Sequence, residues 1–337
     1  MGRKASFSLV FFALAGVLIY YVHPWYVKPS RSQRLPRRLP SAPPPLNLSK
    51  RVPVALNRGP DVPDGFRGDV HPVFPRPTEL QVAAYWDINR NQGRDGAFFS
   101  GVLPEIRDHF LGFEVSVPTH TYSERDFSRL LPAGELDSVG HMWALDLNKV
   151  SGFLKQLHPN PSMRLVAKGR RPGPDGGFGI LRAVSPGHLD ILFRVHAEFD
   201  VRPAYVGQGA EAWYSPACFL GRIVIDRKAG TVESFRLALP TDTHYNVHVT
   251  IADKGELHGW MHVDRMELVG GSWENAGRIR WAEQIEPSEA FDRLTKVFFK
   301  FKEIDWVPFE KVQGIARARK QPILAVVALG ALDNQTC

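Results

Sequence analysis

Asp190-Ile-Leu-Phe-Arg-Val-His-Ala-Glu-Phe199 decides the fold. Its apolar residues fall at every second position: Ile191, Phe193, Val195, Ala197 and Phe199. A strand turns successive side chains to opposite faces, so this alternation predicts a strand with one face on a core. Leu192, Arg194, His196 and Glu198 share the other face. Similar stretches at Phe178–Val184, Phe219–Asp226, Val232–Leu239, Asn246–Ala252 and Gly259–Leu268 predict further strands. Asp226-Arg-Lys-Ala-Gly230 reads as a turn between two of them. Successive strands joined by short turns predict a mostly antiparallel sheet or sandwich over residues 113–285.

Arg194, His196 and Glu198 admit two readings. They could supply acid/base chemistry or two metal ligands, but a pair is short of the three or four ligands of a zinc site. They could equally be a partly buried, ion-paired patch satisfied by a neighbouring strand. The other histidines lack metal-ligand spacing. Gly173 to Gly179 is glycine-rich, contains Pro174 and reads as a loop. No nucleophile elbow, phosphate-cradling loop or Cys-x-x-Cys motif is present.

Residues 286–337 read as α/β. Ser288–Lys296 is helical, with Ser288 an N-cap or first-turn residue. Val297–Phe301 reads as partly extended. Pro308 opens a helix through Arg319, with Phe309, Val312, Ile315 and Ala316 at helical spacing. The uninterrupted apolar run Ile323–Leu329 then predicts a strand buried on both faces. Cys337 follows on a short loop, where redox cysteines are placed. The other cysteine, Cys218, reads as a buried, inert thiol. Two cysteines cannot make a disulfide framework.

The N-terminal side is organised differently. Phe7–Val22 is an uncharged apolar run of 16 residues. That is short of the roughly 20 that span a bilayer, but Ser6, His23 and Trp25 extend it. Tyr20, Tyr21, Trp25 and Tyr26 form an aromatic belt. Residues 1–26 therefore read as an uncleaved membrane anchor. Residues 27–75 are a Pro-rich, basic linker that cannot bury a core. The overall charge of +7 belongs to this end: residues 1–60 hold ten Lys/Arg and no Asp or Glu. The remainder is mildly acidic, which excludes a nucleic-acid-binding face. Asn47-Leu-Ser49 and Asn334-Gln-Thr336 are glycosylation sequons.

Residues 76–112 are expected to be an EF-hand-like helical region, with helices at Glu79–Trp86 and Leu103–Phe110. Between them, Asp87, Asn89 and Asn91 place oxygen ligands at every second position, as a calcium loop requires. The turn glycine is one place late, at Gly93, and Phe98 stands where a bidentate Glu belongs. This is a degenerate calcium loop or a plain polar turn.

Several strings resemble the selenoprotein N family. They are Leu157-His-Pro-Asn-Pro161, Phe193-Arg-Val-His-Ala-Glu-Phe199, Trp213-Tyr-Ser-Pro216, Phe235-Arg-Leu237, Asn246-Val247, Trp306-Val-Pro-Phe309 and Gly330-Ala-Leu-Asp-Asn-Gln-Thr-Cys337. The resemblance covers about residues 140–337. It implies an α+β chain whose strand-rich domain precedes an incomplete thioredoxin-like domain, interrupted just before a selenocysteine position. Cys337 would then be the resolving thiol of a Cys–selenocysteine pair. It further implies a single-pass protein of the endoplasmic reticulum membrane, its bulk lumenal, acting on protein disulfides and linked to calcium handling, including the calcium pump. The loop-charge rule alone points the other way, leaving the C-terminal side cytoplasmic. As written, such a chain is expected to be redox-inactive. The contrasting expectation is a non-catalytic, membrane-tethered protein-binding module.

Overall fold

The computed structural model describes residues 79–88, 104–132, 136, 138–162, 176–202, 211–243, 245–252 and 256–325. The larger of two sheets contains β1 (Glu79–Ile88), β2 (Thr119–Ser123), β3 (Met142–Ala144), β5 (Gly177–Val184), β6 (His188–Val195), β9 (Phe219–Asp226), β10 (Thr231–Ala238), β13 (Val263–Gly271) and β14 (Glu283–Gln284). The smaller contains β4 (Pro161–Ser162), β7 (Glu198–Asp200), β8 (Glu211–Pro216), β11 (Val247–Ala252) and β12 (Glu256–Met261). Their orders are β14-β5-β6-β9-β10-β13-β1-β2, with β3 also on β5, and β12-β11-β8-β7-β4. Every described pairing is antiparallel.

The helices are α1 (Pro104–Leu111), α2 (Glu124–Ser128), α3 (Leu147–Leu157), α4 (Trp273–Arg278), α5 (Pro287–Phe298) and α6 (Phe309–Arg319). Strand-rich α+β architecture follows from the alternating sequence. The inner face of the large sheet buries Ile191, Phe193, Val195, Ile223, Phe235 and Leu268. It shares one apolar core with Phe199, Tyr214, Val249 and Met261 of the small sheet, and with Phe127 and Phe153 from α2 and α3. A separate small core forms on the outer face, where Ala290 and Leu294 of α5 cover Ile180 and Leu192.

Register places bulky rings over glycines. Phe193 pairs with Gly221, and Trp143 with Gly179. A Cβ on Gly221 would lie 1.9 Å from the Phe193 ring. Gln156 of α3 ties this helix to the sheet: it donates to the Val82 carbonyl at 2.8 Å and accepts from Tyr122 at 3.0 Å. Asp226 closes the β9–β10 turn by accepting from the amides of Lys228 and Ala229, and Gly230 takes φ 67°.

The structure corrects several expectations. Glu79–Ile88 is a strand, not a helix. It hydrogen-bonds to β13 on one side and β2 on the other, and Val82, Ala84 and Trp86 alternate into the core. Sheet pairing on both sides outweighs local helix propensity. The entering helix of an EF-hand-like region is therefore missing, although α1 stands where the second helix was expected. The stretch 190–199 is two strands: β6 ends at Val195 and the chain enters the other sheet at Glu198. Gly259–Leu268 is likewise split at His262 between β12 and β13. Gly177–Gly179 open a strand where a loop was expected, because β3 and β6 pair on either side of them.

At the C-terminal end, α5 continues through Phe298, and Lys300–Glu303 form a 3₁₀ turn instead of an extended stretch. Gln321–Ala325 have no regular structure, and Ile323 and Leu324 are exposed. A strand buried on both faces is not formed in this described part, because no strand of either sheet pairs with it. Residues 326–337 lie outside the described residues. No described helix is long and apolar enough to cross a membrane; Phe7–Val22 lies outside the described residues.

Gly221→Ala is expected to destabilise the fold by about 1–3 kcal/mol through overpacking against Phe193. Gly277→Ala, on α4 with no neighbour within 4 Å of the added carbon, is expected to stabilise by about 0.5–1 kcal/mol. Chemical denaturation of the two variants checks the contrast.

Candidate functional site

The outer face of the large sheet carries charge that is buried. Asp190 is fully buried and lies between two guanidinium groups, Arg182 from β5 and Arg222 from β9. Arg222 donates to it through Nε and Nη2, both at 2.9 Å. Arg182 also donates to Gln284 Oε1 at 3.0 Å and lies over the Trp281 ring. A buried carboxylate needs this arrangement, since an uncompensated charge away from water is very costly.

Arg194 lies four residues further along β6, on the same face. It donates through Nε to His196 Nε2 at 3.0 Å and through Nη1 to Thr295 Oγ1 at 2.7 Å. Thr295 passes the bond on to the Phe291 carbonyl within α5. Phe298 and Phe299 contact both the guanidinium and the imidazole. A guanidinium has donors only, so Nε2 of His196 accepts and the neutral ring carries its proton on Nδ1. Glu198, across the sheet junction, accepts from Ser215 Oγ at 3.2 Å. The three residues weighed from sequence are thus buried more deeply than expected. Arg194 and His196 bind each other and α5, and Glu198 belongs to the other sheet. The local role of Arg194 and His196 is to fasten α5 to the end of β6.

The inner core holds a second polar group. Trp86 Nε1 donates to Tyr214 Oη at 3.2 Å, and Phe113 packs on both rings. Burial holds the Tyr214 phenol far above its ordinary range, and burial does the same to Tyr122. Neither phenol ionises under working conditions. His158 packs on Phe113 and Phe199, and its Nδ1 accepts from the Asn160 amide at 3.3 Å. Burial lowers its pKa; Asp200 opposes this and His109 adds to it.

On the other face of the small sheet, β11 and β12 bring two histidines together. Nε2 of His248 and Nδ1 of His258 are 3.2 Å apart, with ring planes 10° from parallel. Thr250 Oγ1 is 3.4 Å from the same Nδ1, and Trp260 packs on His248 at 5.1 Å. Sequence spacing did not reveal this pair. Ten positions separate the residues, and only the hairpin register, Thr250 opposite His258 and His248 opposite Trp260, makes them neighbours. Alternation of His248, Thr250, His258 and Trp260 on one face was the available signal.

Of the residues predicted as a site, Asp87 is exposed on β1, opposite Arg265 of β13. Asn89, Asn91 and Cys337 lie outside the described residues. Cys218 is buried, as expected. Among the described residues, no three His, Cys, Asp or Glu cluster as metal ligands.

No family model matches the chain, and no solved structure matches it. Curated relatives do. Selenoprotein N of Danio rerio is 24% identical over 301 residues, covering 70% of this chain and 53% of the relative. Selenoprotein N of Homo sapiens is 26% identical over 310 residues, covering 72% and 51%. The Mus musculus protein is 26% identical over 215 residues, covering 55% and 37%. The chain is selenoprotein N-like. It spans about half the length, or less, of these curated relatives.

The His158 shift gives a signed expectation. Its folded pKa lies below the ordinary 6.5, so the unfolded chain binds the proton first. The resulting stability is complete above about pH 6.5 and is lost below it, as pH falls through the lower folded pKa. Denaturant midpoints should therefore fall between pH 7.5 and 5.5, and His158→Phe should flatten part of the fall. Parallel profiles would show that His158 does not contribute.

Proposed function

We propose that this selenoprotein N-like chain serves thiol/selenol redox chemistry at the endoplasmic reticulum membrane, with residues 1–26 as its anchor and its bulk in the lumen. The observation that carries this reading is the similarity to three selenoprotein N proteins. Support also comes from the Gly330–Cys337 string that resembles the family's approach to its redox pair. In that reading Cys337 is the resolving thiol. A selenolate next to it attacks a substrate disulfide and releases one substrate thiolate. Cys337 then attacks the mixed selenenylsulfide and releases the other, leaving a Cys–selenocysteine bond. The substrates are protein disulfides, and the calcium pump of the same membrane is a candidate partner. The link to calcium homeostasis rests on the family similarity; Asp87 on a strand gives no support for a helix-loop-helix calcium site at residues 87–98.

One observation favours a second reading, a membrane-tethered binding module. The aromatic and histidine-bearing face of the small sheet is the kind of surface that engages a partner. Reading the transcript beyond the Cys337 codon separates the two. A UGA followed by a long open frame supports the redox reading. Protein made from that frame should reduce a mixed disulfide, and Cys337→Ser should abolish turnover. A UAA or UAG directly after the Cys337 codon would remove the redox reading and leave the binding module.

A further inference from the structure

We propose that His248 and His258 form an exposed, open binding site for a late first-row divalent cation, with copper(II) the strongest ligand. Their facing nitrogens are 3.2 Å apart. A cation at an ordinary nitrogen distance of about 2.0–2.1 Å from both would see them subtend roughly 100°. That lies between the cis angle of a square-planar site and the angle of a tetrahedral one, the geometries favoured by copper(II) and zinc. Imidazole is the ligand type that suits these metals, and the affinity order peaks at copper(II). Imidazole χ2 torsions are broad, so modest ring rotation brings both lone pairs onto one point.

The backbone supplies the preorganisation. His248 and His258 sit diagonally on adjacent strands of a hairpin whose register is fixed over six consecutive residue pairs. On the same hairpin, Val247, Val249 and Ile251 are buried in the core, which holds the strands in place. Glu211 of β8 lies on the same face, opposite Ala252, and its carboxylate accepts from Trp213 Nε1 at 3.3 Å. Thr250 Oγ1 stands beside His258 as a candidate further oxygen donor. Among the described residues no third His, Cys, Asp or Glu joins the pair, which leaves coordination positions for water or an exogenous ligand. The site is therefore exchangeable, unlike the closed four-ligand sites that fold small domains. It is independent of the redox reading and contains no cysteine.

Trp260 provides the readout, because it contacts His248 directly and a paramagnetic ion there quenches its emission. Copper(II) chloride titrated into the full chain at neutral pH should quench tryptophan fluorescence at one equivalent and give an electron paramagnetic resonance signal with coupling to two imidazole nitrogens. EDTA should reverse both. His248→Ala together with His258→Ala should lose the two-nitrogen signal and the quenching. His258→Asn, which keeps a polar, foldable side chain, should do the same, with circular dichroism showing the fold intact. Trp260→Phe should keep the two-nitrogen signal while weakening the quenching, because Trp213 lies opposite Thr250 on the same face. Equal copper binding by the wild type and a folded His258→Asn protein would overturn the proposal, as would a single-nitrogen signal in the wild type.

Discussion

Strand β6 is buried on both faces, and the rest of the architecture answers to that constraint. Its inner side chains, Ile191, Phe193 and Val195, are ordinary core residues. Its outer ones, Asp190, Leu192 and Arg194, include two charges with almost no access to water. A buried charge that loses its partner typically costs about 3–5 kcal/mol. The neighbouring strands must therefore supply Arg182 and Arg222, and α5 must lie where Thr295 reaches Arg194 and Leu294 covers Leu192. The apolar core alone would leave the outer face free to slide. The polar contacts fix where α5 sits.

The same strand distributes the chain between two sheets. After Val195, the backbone amide of His196 bonds to Gly176 and the chain enters β7. His196 is thus held at the junction by Arg194 on one side and the rings of Phe298 and Phe299 on the other. This arrangement joins the large sheet, the small sheet and the helices that lead toward residue 337. Past α5, the described chain is loosely covered: Trp306, Phe309, Ile323 and Leu324 are exposed. The pair of sheets holds the main core, and the small sheet presents its histidine pair on the face away from it.

Alternation in residues 190–199 was enough to read the strand-rich class and the inner core. Period-two patterns depend only on which side of a sheet meets water. What sequence could not show was where the chain changes sheet, because inward-facing residues remain apolar in both sheets. The helix expected over Glu79–Trp86 gives way to a strand for a related reason. Leu80, Val82, Ala84 and Trp86 alternate correctly, but Ala, Gln and Glu also suit a helix, and only pairing with β2 and β13 decides between them. The apolar run from Ile323 predicted burial that the described part does not show, since burial needs a partner and hydrophobicity cannot supply one. The histidine pair was invisible because proximity across a hairpin depends on register. The polar row on β6 was legible as a shared face, although its partner in α5, about a hundred residues away, was not.

Hydrogen exchange measured residue by residue tests the central claim, that β6 is the doubly buried strand on which both layers depend. The backbone amides of Leu189 to Val195 should be among the slowest to exchange and should open only with the whole molecule. Amides of the edge strand β2 should exchange through local opening at lower free energy. Exchange of the β6 amides as fast as those of β2 would contradict the account, because a strand clamped on both faces cannot open before an edge.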